Sequence, residues 1–221
     1  MIPPRVRVLD MDDLDALPSP CRGCMFWQSA AAPPGEQASD PQGQDAWWQA
    51  MQLDWGTPGK GIWDGDELIA FALFAPPLHV QRPRTLTFAP SDDALVLATM
   101  WCDPDHRGAG HARHLLQALA RDALSQGYEA IEAYGAAFVR DGACVLSGSA
   151  LEALGFALHR PHPTTALYRM DLDRTVSWPQ AVGHALGEVI SSLQGRERAR
   201  ARPALEQRQL REDVRTNGSS S

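Results

Sequence analysis

Lysine is almost missing from this chain. Lys60 is the only one, so nearly all of the 20 cationic residues are arginine. We read that as compositional bias, not a site. Set against 27 acidic residues it leaves a formal net charge of -7, which argues against a nucleic-acid domain and mildly favours cationic partners. Cysteine is also scarce: Cys21, Cys24, Cys102 and Cys144 are too few to staple 221 residues. Cys21 and Cys24 form a C-x-x-C, but no second C-x-x-C or H-x-x-x-H follows to complete a zinc site. The pair lies among prolines in LPSPCRGCMFW, whereas a redox motif opens a helix after a strand. Reduced thiols in a packed loop are expected. Long apolar runs are absent, and nothing approaches the ~20 residues of a membrane span. The N-terminus, MIPPRVRVLDMDDLDALP, mixes charge with apolar residues and is no signal peptide. The expectation is a soluble, cytoplasmic protein with no nucleic-acid or membrane partner. Internal repeats are absent too.

What is present suits one ordinary domain with an appended tail, and the 44% hydrophobic content can fill a core. RVRVLD (5–10) alternates as a strand does. Residues 28–45 are rich in Pro, Gly, Ser and Gln and read as an exposed loop. AWWQAMQLDW (46–55) sets Trp47, Trp48, Met51 and Trp55 on one helix face, expected in the core. GKGIWDGDELIAFALFAPP is a hairpin turning at Asp64-Gly65-Asp66. After a loop at 76–93, ALVLATMWC (94–102) is apolar on both faces, as in the middle of a sheet. A helix follows, then YEAIEAYG (128–135), a short helix ending at Gly155, and strands in FALHR and TALYRMDL. Residues 176–194 read as a C-terminal helix whose apolar stripe gives a surface for a homodimer. The arginine-rich remainder, 195–221, buries too little to order itself.

The informative stretch is DPDHRGAGHARHLLQALARDAL, residues 103–124. Ala112, Leu115, Leu116, Leu119 and Ala123 fall on one face of an amphipathic helix. Its first turn has almost no side chain to shield the backbone. The first N–H groups of a helix lack internal partners and sit at the positive end of its dipole, so a bare turn admits a phosphate or pyrophosphate. A dinucleotide fingerprint fails, because Arg113 stands at the third glycine position and the motif does not follow a first strand. A P-loop fails for want of Gly-Lys-Ser/Thr.

Arg107-Gly108-Ala109-Gly110-His111-Ala112, after Trp101-Cys102-Asp103-Pro104, resembles the Arg/Gln-x-x-Gly-x-Gly/Ala signature of the GNAT N-acetyltransferase superfamily. The order of elements over residues 5–172 and the Leu154-Gly155-Phe156 ending extend the resemblance. The CRGCMFW segment looks like one seen in a little-characterised branch. The resemblance implies an α+β fold: a mixed, mostly antiparallel sheet of six to seven strands, with helices on both faces and a central parallel pair splayed to admit CoA. It implies a GNAT domain over residues 1–175 and acetyl-CoA as acyl donor.

On this resemblance, the pyrophosphate sits on the backbone N–H groups of Gly108, Ala109, Gly110, His111, Ala112 and Arg113, with Arg107 also among the cofactor-binding residues. Main-chain groups of Met100, Trp101 and Cys102 pair with the pantetheine arm, and an N–H near Cys102 polarises the thioester carbonyl. Glu132 stands where several relatives carry a general base. The tyrosine that relatives use as acid is replaced by Leu151, which leaves Tyr134 as first choice ahead of Cys144, Ser147 and Ser149. No metal is implied, because His106, His111 and His114 project at different angles. The implied activity is transfer of an acetyl group to a primary amine, small or peptidic, in a ternary complex. A CoA-binding module without catalysis is the alternative, and a peptide-binding domain using the tail is a third reading.

Overall fold

The strands in the middle of one sheet are apolar and buried along most of their length, and those at its two edges are mostly exposed. The computed structural model describes residues 5–172, apart from 20, 31–38, 87 and 139–143. The expected helix at 176–194 and tail at 195–221 lie outside the described residues. The strands are β1 (Val6–Val8), β2 (Gly59–Asp64), β3 (Glu67–Ala75), β4 (Ala94–Cys102), β5 (Ala130–Ala136), β6 (Leu146–Ser147), β7 (Ala157–Arg160) and β8 (Thr165–Asp171). They lie in the order β1-β2-β3-β4-β5-β8-β7, with the two-residue β6 set against β5. Only β4–β5 and β5–β6 are parallel. The sheet is the expected mixed, mostly antiparallel one, with β6 as an extra short strand.

Among the described residues three α-helices, α1 (Pro41–Asp54), α2 (His111–Ser125) and α3 (Gly148–Ala153), flank it. α1 starts earlier than its apolar stripe suggested, because Asp40 accepts a hydrogen bond from the Gly43 N–H at 2.9 Å and Pro41 fits the first helical position. Residues 41–45 are therefore helix, not loop. On one face of the sheet Leu115, Leu116 and Leu119 of α2 pack with Leu151 of α3 against Leu95, Leu97, Ile131 and Ala133. Each of those α2 leucines is fully buried, worth about 1.5–3 kcal/mol apiece relative to exposure. On the other face Met51 of α1 meets Val96, Ala98 and Tyr134, and Trp48 joins Phe71 and Leu73. Trp48 and Met51 are core residues, as their spacing predicted. No helix among the described residues is long and apolar enough to cross a membrane.

One irregularity positions the site. Against β3, Leu97 lies opposite Phe74 and Thr99 opposite Leu73, so Ala98 is an extra residue, a β-bulge. A bulge bends its strand and increases the local twist. Pairing of β4 with β5 runs from Ala94↔Ala130 to Leu97↔Ala133 and stops there, next to the bulge. β8 follows β5 along one whole edge, from Ala130↔Asp171 to Ala136↔Thr165. β6 therefore takes the edge that β4 has left, at Gly135↔Leu146 and Ala136↔Ser147. Residues 98–102 of β4 keep an edge with no strand partner among the described residues.

Candidate active site

The chain leaves β4 through a tight reversal built by one carboxylate. Asp103 accepts from the Asp105 N–H at 2.9 Å and meets His106 Nδ1 at 3.1 Å, closing a single 3₁₀ turn over Pro104–His106. His106 beside it, with the Asp105 N–H, holds the Asp103 carboxyl below the usual carboxylate range. Gly108 and Gly110 follow at φ +85° and +84°, the left-handed region that glycine enters without a Cβ penalty. A Cβ added at either would meet nothing within 4 Å, and residues 107–110 are exposed. Gly110 is also the N-cap of α2 and offers no side chain to the helix end. The first amide N–H groups of α2 therefore have no acceptor within the helix and no capping side chain, the kind of helix end that an anion can approach.

Around that turn the side chains stand aside. His111 is buried at 6% exposure, with Nδ1 unpartnered among the described residues, so at the turn it offers only its backbone. Burial, then the charges of His114 and His106, hold its imidazole below the ordinary histidine range. Ala112 packs against the α2-side core. Arg113 is half-buried, with Nη2 in the interior and unpartnered among the described residues. Arg107 folds back, its Nε donating to the Cys102 carbonyl at 3.2 Å. Among the described residues no group of three His, Cys, Asp or Glu side chains is placed to hold a metal ion.

Met100, Trp101 and Cys102 pair with β3 on one edge, opposite Ala72, Phe71 and Ala70. Trp101 stacks on Phe71 at 5.8 Å, while Met100 and Cys102 pack toward α2. Their other backbone edge faces the split from β5. Arg107 already occupies the Cys102 carbonyl, and the Asp103 N–H donates to the Ile69 carbonyl at 2.8 Å. Burial pushes the Cys102 thiol up.

Glu132 and Tyr134 share the α1-side face of β5, two residues apart. Glu132 is 0% exposed. Its Oε2 accepts from the Ser91 N–H at 2.8 Å, and its Oε1 from Ser91 Oγ at 2.7 Å and Arg169 Nη1 at 3.2 Å. Arg169 also grips Asp93 through both terminal nitrogens, at 3.0 and 2.9 Å, and holds that carboxyl below its usual range. Tyr134 donates its hydroxyl to the Phe88 carbonyl at 2.5 Å, and burial, then the Glu132 charge, push its phenol well above the usual tyrosine value. Both partners come from the loop before β4.

Ser91 and Arg169 were not singled out from the sequence; neither belongs to a recognisable spacing. Tyr168 was missed for the same reason. Leu151 is a fully buried core residue, so no hydroxyl stands at that place. Tyr168 of β8 lies beside it: its ring crosses Gly135, where an added Cβ would be 2.5 Å from Cε2, and its hydroxyl abuts Gly148 at the start of α3. Burial, then Glu152, push its phenol up. Ser147, another candidate, caps α3 by accepting from the Ala150 N–H at 3.1 Å.

Comparison with known proteins places the chain in a family. The profile of the acetyltransferase (GNAT) family matches residues 24–144, more than half of the chain. The chain belongs to this family. Solved structures share this GNAT fold at low identity. The yncA protein of Salmonella typhimurium, solved with acetyl-CoA, is 19% identical over 80% of this chain and 98% of its own, with a TM-score of 0.54. A ribosomal-protein-alanine N-acetyltransferase from Brucella melitensis is 18% identical over 76% of this chain and 99% of its own, at 0.53. The PaiA N-acetyltransferase of Thermoplasma acidophilum, in complex with coenzyme A, is 13% identical over 77% and 99%, at 0.52. No curated protein matches this GNAT sequence significantly.

Proposed function

We propose that this GNAT protein transfers an acetyl group from acetyl-CoA to a primary amine by direct attack in a ternary complex, in the cytoplasm. The observation that carries the reading is the open, uncapped turn at 107–113 beside the free edge of β4. The acetyl-CoA and CoA complexes of the similar folds support it. Acetyl-CoA supplies the activated acyl group. The backbone N–H groups of residues 108–113 hold its pyrophosphate, main-chain groups of Met100, Trp101 and Cys102 receive the pantetheine arm, and an N–H at the end of β4 polarises the carbonyl.

An alkylamine arrives protonated, with a pKa near ~10.4, and must lose a proton before attack. Ser91 is half-buried and already gives its hydroxyl hydrogen to Glu132. Its oxygen accepts the ammonium proton while Glu132 takes the serine's. Glu132 is the base in this reading, reached through Ser91. Tyr134, on the same face at the split, gives its proton to the departing sulfur by releasing the Phe88 carbonyl. A second reading for that proton is favoured by the Tyr168 hydroxyl at the start of α3, the helix that carries Leu151.

The test is thiol release from acetyl-CoA over a panel of small amines and amino-terminal peptides. Turnover is expected on at least one amine, and Glu132→Gln lowers it by about 10²-fold or more at neutral pH, the ordinary worth of a general base. Acetyl-CoA binding without turnover on any amine, unchanged by Glu132→Gln, would instead establish a binding module that has lost catalysis.

A further inference from the structure

Cys24 and Cys144 stand 120 positions apart in sequence, yet their sulfurs lie 3.1 Å from each other. That is only about 1 Å longer than the ~2.05 Å of a disulfide. We propose that these two thiols are a peroxide-responsive pair that closes to an intramolecular disulfide. From the sequence, Cys21 and Cys24 are expected to be reduced thiols in a packed loop; the fold sets Cys144 against Cys24.

The surroundings favour Cys24 as attacking sulfur. The Cys144 thiol hydrogen-bonds to it, and the Phe26 N–H and the Arg82 charge add to that; against the opposing effect of burial they push its thiol down to about 6. Arg82 is itself buried at 4% exposure and is fixed by donation of its Nε to the Phe26 carbonyl at 2.9 Å. Burial and the Cys24 charge push Cys21 the other way, up to about 11, which leaves it a poor nucleophile at neutral pH. Both members of the pair are half-buried, within reach of a small oxidant. The Cys24 backbone is held by a β-bridge to Ser39.

The chemistry balances with a hydroperoxide as oxidant. Cys24 thiolate attacks the peroxide oxygen and becomes a sulfenic acid as the O–O bond breaks, releasing water or an alcohol. Cys144 sulfur then attacks the Cys24 sulfur, its proton leaving with the hydroxide as a second water. Two thiols are oxidised by two electrons and one peroxide bond is reduced. The bond would reinforce a clamp that already exists. Trp27 stacks on Tyr134 at 5.5 Å and donates its Nε1–H to the Cys144 carbonyl at 2.8 Å. The disulfide thus ties the N-terminal segment to the chain entering β6, beside the split. It holds whether or not the transfer reading does.

Trypsin separates all four cysteines, because Arg22, Lys60, Arg84, Arg107, Arg140 and Arg169 bound their peptides. The reduced full chain is treated with stoichiometric hydrogen peroxide, blocked with iodoacetamide and mapped by mass spectrometry without reduction. The expected product is peptide 23–60 joined to 141–169, with the intact mass lower by two hydrogen atoms. Cys21→Ser leaves that product unchanged, and Cys24→Ser or Cys144→Ser abolishes it. A Cys21–Cys24 link, oxygen retained on Cys24 alone, or no loss of hydrogen overturns the proposal.

Discussion

At the residue scale, the proton on the leaving thiol separates two tyrosines on opposite faces of the sheet, Tyr134 of β5 and Tyr168 of β8. Tyr134→Phe removes the hydrogen bond to Phe88, and Tyr168→Phe removes the hydroxyl at Gly148. If Tyr134 is the donor, its variant loses about 10–100-fold in kcat with little change in KM for acetyl-CoA, while Tyr168→Phe stays near wild type. The reverse pattern assigns the proton to Tyr168. Steady-state kinetics on both variants decides it. A fall in KM-independent rate for neither variant leaves the thiol, with a pKa of only about ~8.5, to depart as thiolate. The residues legible beforehand were those whose role is backbone freedom or spacing: Gly108, Gly110 and the apolar stripe of α2. Ser91, Arg169 and Tyr168 were not legible. They come from two stretches distant from the motif, the loop before β4 and β8, and only the fold and the register of β8 against β5 bring them to Glu132 and Gly135.

At the element scale, α2 begins at a site and must still be anchored. Its far side is tied to β2 by the only lysine, Lys60, whose ammonium meets Asp122 at 2.6 Å. Its first residue, His111, is buried, and burial holds its imidazole below the ordinary histidine range. The unfolded chain protonates that histidine near ~6.5, the fold resists it, and stability therefore falls as pH drops below that value toward the folded pKa. Urea midpoints for wild type and His111→Gln across that window should show a steeper acid loss in wild type. Equal slopes would mean that His111 takes up its proton in the fold without penalty. Strand and helix order were readable from periodicity because each element carries its own pattern. The bulge at Ala98 was not, since it is a mismatch between two strands and neither one's sequence marks it. Without it the parallel pair would have no reason to part after Leu97 and Ala133.

At the scale of the whole molecule, the proposed function gives the sheet two jobs from one break. One edge of the break, β4 and the turn after it, presents main-chain groups to the donor. The other, β5 with the loop before β4 folded over it, presents the carboxylate and phenol. On that proposal a chain of net charge -7 holds a pyrophosphate here because the donors are oriented amides at a helix end, acting locally.

The most direct test is calorimetric titration of acetyl-CoA into wild type, Gly110→Ala and Gly127→Ala. Gly127 makes a fair control at the opposite end of α2: it too is left-handed, at φ +86°, with nothing within 4 Å of an added Cβ. Both substitutions should cost about 1 kcal/mol of stability for a side chain at positive φ. Only Gly110→Ala should weaken acetyl-CoA binding, by about tenfold or more, a difference of roughly 1.4 kcal/mol. Equal affinities in all three proteins, or no binding to wild type, would contradict the assignment of the turn at 107–113 as the pyrophosphate site.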